Sequence, residues 1–254
     1  MSGFAAFLAK ERNEIFRTWR IWVIPGMLLF FGITSPLVAL VAPKLIGSLA
    51  GSQPGVVIQL PDPTGLDGYA QFLKNLSQIV IIAVIIAGAG VVSSERSSGT
   101  AILVLTKPLS RAAFVGAKLI SFLGLILVPT VVAAIVCVAV SRLVLPPEPV
   151  GGFVRAVAIW LAFAALLVSA MTFFSVVLPS RGAAAGAGLA LLFVMLLVTI
   201  WPPAARYSFA ALPGSVDAAL TGRELHLGWP LFTAGLAFGG FVLAAIARFR
   251  RQEI

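Results

Sequence analysis

Apolar positions along the chain fall into long runs, at about 21–41, 76–92, 112–140, 153–178, 183–201 and 229–247. Each is near the ~20 residues that cross a hydrocarbon core as a helix. The pattern predicts an all-α integral membrane protein, one domain over residues 1–254 with six transmembrane helices. Pro25, Gly26, Gly32 and Pro36 interrupt the first run and predict a kink, tolerated in a span when neighbours satisfy the freed carbonyls. Two longer polar stretches, 42–74 and 202–228, predict outer loops; Pro43, Pro54, Pro61 and Pro63 punctuate the first. Within it, Asp62-Pro63 marks a helix start, and Leu66, Tyr69, Phe72 and Leu73 trace a short surface helix leading into the second span. Residues 141–152 and the Pro179-Ser180-Arg181-Gly182 turn are short connections.

Residues 1–20 read as an amphipathic elbow helix lying in the membrane interface. Phe4, Phe7, Leu8, Ile15 and Trp19 share one side; Lys10, Asn13, Arg17 and Arg20 lie opposite. Glu11 falls on the apolar side and breaks the pattern. The charges scattered through this stretch do not fit a secretory signal.

Composition agrees with the spans. The chain is 60% apolar and 11% charged, with mean hydropathy +1.06, against about 45–50% and about 25% in soluble domains. The net charge of +9 is not gathered on an aqueous domain, which argues against a nucleic-acid partner. An even number of spans puts both termini on one side, with twelve basic residues there and six opposite. That bias predicts cytoplasmic termini in the plasma membrane. Cys137, the one cysteine, lies in an apolar run and cannot form an internal disulfide.

Several chemistries lack their residues. No Asp or Glu lies deep in an expected span, so no ion relay is visible. Lys118 lies near the inner end of its span, where it can snorkel. The one histidine, His226, sits in an outer loop, with no metal-ligand set or nucleophile–base pair beside it. Gly116-Ala117-Lys118 lacks the first glycine of a phosphate-cradling loop. The expectation is therefore no catalytic, cofactor or metal site in this chain, with energy supplied by another subunit. Small-residue pairs at Gly182/Gly186 and Gly235/Gly239 offer places for close helix approach.

The stretch 93–111 carries the most specific text. Gly99 breaks the emerging helix, and Thr100 can cap a new short one that presents Ile102, Leu103 and Leu105. Pro108 ends it, and Ser110 can cap the third span. A rigid apolar helix flanked by Glu95, Arg96, Lys107 and Arg111 suits a groove on a partner.

This segment resembles the type-2 ABC transporter permeases. The carrying residues are Glu95, Gly99-Thr100, Leu103 and Leu105, Pro108-Leu109-Ser110-Arg111 and Lys118, together with the Lys10-Glu11 pair and the six-span plan. Ala101-Ile102 stands where many members have Leu-Glu. The resemblance implies a coupling segment, Glu95, Arg96, Gly99, Thr100, Ile102, Leu103, Lys107, Pro108, Ser110 and Arg111, docking on an ABC ATP-binding subunit. Elbow-helix contacts would come from Lys10, Glu11 and Glu14. It further implies two ATP-binding subunits, which hold ATP and magnesium, and a second permease copy in the bilayer. The expected role is the permease of an ABC exporter for a drug, peptide, lipid or other amphipathic molecule. The alternative is a non-transporting transducer that acts through the outer loops on an extracytoplasmic partner, as in copper-enzyme maturation. An intramembrane enzyme is a third reading, for which no motif speaks.

Overall fold

The structure, a computed structural model, describes residues 7–11, 13, 20–50, 61–93 and 110–251, the side chains of 20, 21 and 48–50 excepted. Residues 7–11 are helical. Helix α1 spans Arg20–Ala50. Helix α2 (Gly65–Asn75) passes through a π turn, Leu76–Val80, into α3 (Ile81–Ala89). Then come α4 (Arg111–Val144), α5 (Gly151–Val177) and α6 (Arg181–Val198). The short helices α7 (Pro202–Tyr207) and α8 (Leu212–Leu220) flank a 3₁₀ turn, Phe209–Ala211, before α9 (Gly228–Arg250). Among the described residues there is no strand, and six helices are long and apolar enough to cross a membrane. The chain is an all-α, multi-pass membrane protein.

Helix α5 is the axis of the bundle. It packs against α3, α4, α6, α8 and α9, and it carries the fully buried Trp160 and Phe153. Helices α1 and α4 pair along one flank. A Cβ added at Gly32 would stand 2.7 Å from the carbonyl oxygen of Ala133. Gly88 lets α3 reach Met171 of α5, and Gly152 lets α5 reach the Leu220 carbonyl of α8. Gly182, Gly186, Gly235 and Gly239, the pairs expected from spacing, face open space within the chain. The close approaches fall at single glycines, because what the opposing helix presents at that point sets them rather than a repeat along one helix.

Helix α1 does not stop near Val41; it continues through Pro43 to Ala50. A proline inside a helix removes one hydrogen bond and crowds the preceding turn. Here α1 still lies alongside α2, so continuing the helix keeps backbone groups paired. The segment expected as a surface helix is core. Tyr69, Phe72 and Leu73 are fully buried, and Tyr69 stacks on Phe153 at 4.5 Å. Its start is set at Thr64, whose N–H and hydroxyl both donate to the Asp67 carboxylate, at 2.8 and 3.0 Å. Residues 202–220 are likewise short helices rather than open loop, with Leu212 and Val216 buried.

Contacts fix which ends share a side. Arg111 meets Phe249 and Arg250, and Ser93 meets Ser175. The starts of α4 and α6 and the ends of α3, α5 and α9 therefore lie on one face, called here the terminal face. Gly65 N–H donates to the Pro146 carbonyl at 3.2 Å on the opposite face.

Gly32→Ala should cost about 1–3 kcal/mol, the usual penalty of overpacking. Gly26→Ala, where nothing lies within 4 Å of the added Cβ, should be neutral or better. Thermal unfolding of the two purified variants in one detergent checks the contrast.

Candidate functional site

The terminal face gathers the polar chemistry of the bundle. It begins at Ser110, whose Oγ accepts the Ala113 N–H at 3.1 Å and caps α4. Such a cap satisfies one of the N–H groups that a helix start leaves unpaired. Arg111 follows, and its Nη1 donates to the carbonyls of Phe249 (3.1 Å) and Arg250 (2.9 Å). A guanidinium at the carboxyl end of α9 meets carbonyls of the last turn, where the helix dipole also favours a cation.

One turn on, Phe114 is sandwiched between two rings. Phe249 stacks on it at 5.2 Å with an interplanar angle of 4°, and Phe7 at 5.4 Å and 27°. One turn further, Lys118 Nζ donates to Glu11 Oε2 at 3.0 Å, with both side chains at least nine-tenths buried. The ammonium also stands 5.1 Å from the centre of the Phe114 ring, within cation–π range. Glu11 Oε1 takes a second bond from the more exposed Lys10 at 3.3 Å. Positions 111, 114 and 118 share one side of α4, as 7 and 11 do on the amino-terminal segment. The two stripes interlock: ring on ring, then carboxylate on ammonium.

Lys118 therefore does not snorkel. Its charge is neutralised in place by Glu11, the residue that broke the amphipathic pattern. Glu11 on the apolar side of its helix was the one available signal, and it pointed to no partner. A buried lone carboxylate is costly unless paired and hydrogen-bonded. Phe249 and Ser175 carried no such signal.

The other edge of the face is tied through Ser175 of α5. Its Oγ accepts the N–H groups of Val92 (2.9 Å) and Ser93 (3.0 Å) and donates to the Ala89 carbonyl at 3.1 Å. Ser93 Oγ donates to the same carbonyl at 2.8 Å. One buried hydroxyl thus satisfies three backbone groups where α3 ends.

These two ties bracket residues 94–109. Glu95, Arg96, Gly99, Thr100, Ile102, Leu103, Lys107 and Pro108 lie there, outside the described residues, as does Glu14. Ser110, Arg111, Lys10 and Glu11 are brought together on the terminal face.

On the opposite face a cavity of about 680 Å³ opens between α3, α5, α6 and the short helices. Ile81, Phe163, Leu192 and Met195 form its apolar wall, while Arg206, Glu224 and His226 line its polar part. Among the described residues no three His, Cys, Asp or Glu side chains cluster as a metal site.

Known proteins resemble the chain over nearly its whole length. The chain is 23% identical over 256 residues to YxlG, an uncharacterized transmembrane protein of Bacillus subtilis (strain 168), covering 100% of this chain and 99% of the relative. Residues 5–251 match the family described as ABC-2 family transporter protein. That match takes in the elbow residues, the bracketed segment and all six spans, and by it the chain belongs to the ABC-2 family as a membrane permease subunit of an ABC transporter, a family whose permeases work with an ABC ATP-binding subunit.

Proposed function

We propose that the chain is the permease of an ATP-driven exporter, assembled as two copies with two ATP-binding subunits. The terminal face lies in the cytoplasm, and residues 94–109 receive the movement of the ATPases. The observation that carries this reading is the pair of ties on either side of that segment. Displacing it pulls on α3 and α5 through Ser175, and on α4, α9 and the amino-terminal segment through Arg111, Phe114 and Lys118. A loop that only reversed the chain needs no such anchoring; the four-residue turn before α6 manages with one capping serine, Ser180. ATP and magnesium belong to the partner in this scheme. The apolar wall and polar part of the opposite cavity suit an amphipathic substrate.

The docking arm of the proposal is tested by Leu103→Asp. A charge placed in a packed contact is expensive, and a central interface contact is commonly worth about 2 kcal/mol or more. The variant should insert normally but lose co-purification with the ATPase or its stimulated turnover. Unchanged association and turnover would refute docking through this segment.

The tie itself is tested by Lys118→Met. Removing one partner of a buried pair typically costs about 3–5 kcal/mol, with Lys10 softening the loss at Glu11. Adding Glu11→Gln should recover most of the thermal stability, because no buried charge then remains unpaired. If the tie carries movement, ATP turnover in the stable double variant should become insensitive to substrate while ATPase binding persists.

Orientation is tested by single cysteines, with the buried Cys137 replaced by Ala. Thr221→Cys, on the exposed turn after α8, should react with an impermeant maleimide outside intact cells. Ser180→Cys should react only after permeabilisation. The reverse pattern would place the terminal face outside.

A further inference from the structure

A second site lies on the flank of the bundle, far from the terminal face. Between α4 and α5 runs a cleft of about 390 Å³, walled by α4 from Val131 to Arg142 and, from Val150 to Leu161, by the start of α5 and the residue that precedes it. Val131, Ile135 and Val154 form exposed lips, and Phe153 and Val157 lie buried at the floor. Every lining residue is apolar except Arg142. At 1.5 Å per residue each wall is about 16 Å long, roughly half of a ~30 Å hydrocarbon core. The cleft therefore has about the length of one leaflet.

Arg142 stands at the mouth, in the last turn of α4 and exposed. Among the described residues it forms no salt bridge. Glu148, on the neighbouring connection, directs its stem toward Gly65 and is not part of the lining. A guanidinium at headgroup depth above an apolar slot matches a phosphate above an acyl chain, because its planar fork fits phosphate oxygens. The same charge also complements the carboxyl end of α4, and that helical role must be separated from a ligand role.

We propose that this cleft binds one anionic glycerophospholipid of the leaflet opposite the terminal face. An acyl chain lies along the α4–α5 cleft, and the phosphate rests on Arg142. This inference rests on the chain's residence in a bilayer and not on ATP coupling, so its test does not depend on transport.

The experiment places the purified chain in nanodiscs of equal phosphatidylglycerol and phosphatidylcholine and weighs the retained lipid by native mass spectrometry. The parent should keep phosphatidylglycerol in preference. Arg142→Gln should keep about tenfold less of it, the loss of one charge-assisted contact, with thermal unfolding little changed. Arg142→Lys should fall between. Ala158→Phe, which fills the cleft from α5, should reduce retention of both lipids. Retention unaffected by Arg142→Gln and Ala158→Phe overturns the proposal. So does a fall in stability without a fall in retention, which assigns Arg142 to its helix alone. Disulfide formation between two copies of Ile135→Cys in native membranes would give the cleft to a second copy and likewise overturn it.

Discussion

The terminal face depends on one buried ion pair. Glu11 and Lys118 come from segments more than a hundred residues apart, and neither is tolerable alone in an apolar setting. Their mutual attraction offsets the desolvation, and the pair then admits a single register. With Glu11 on Lys118, Phe7 falls on Phe114 and Lys10 remains near the surface. Buried pairs of this kind are often no more stabilising than apolar residues of the same volume. Here the pair's effect is positional: it fixes where the amino-terminal segment lies on α4.

The remaining ties follow the same economy of polar groups. Helix ends leave backbone groups unpaired, and here side chains satisfy several of them. Ser175 satisfies the end of α3, Arg111 the end of α9 and Ser110 the start of α4. Each of these side chains connects two elements or caps one at the border of residues 94–109. The groups that complete the hydrogen bonding of the bundle are thus also the groups through which force on that segment would spread. In the proposed coupling, stability and movement share one set of contacts.

The bundle is unevenly buried. Helix α5 is enclosed by its neighbours, whereas α6 and α9 leave most of their apolar surface uncovered. In a soluble protein such surface would be a liability; in a bilayer it is solvated by acyl chains or by a second subunit. Gly182, Gly186, Gly235 and Gly239 lie on these two helices with open space before them.

The sequence by itself determined the class, the number of spans and the family resemblance, because each rests on local text. Long apolar runs cross a bilayer whatever surrounds them, and Gly99-Thr100 and Pro108-Leu109-Ser110-Arg111 are legible as text. Ser110 as a cap was readable for the same reason, since capping involves only neighbouring residues. Glu11 was visible as an anomaly, but its partner was not, because the pair joins distant segments. Only the tertiary structure decided that Lys118 is buried and neutralised rather than snorkelling. It likewise carried α1 through Pro43 and turned Tyr69 from a surface residue into the stacking partner of Phe153. Each of those outcomes depends on what another helix presents at that depth, and no window along one chain contains both sides of such a contact.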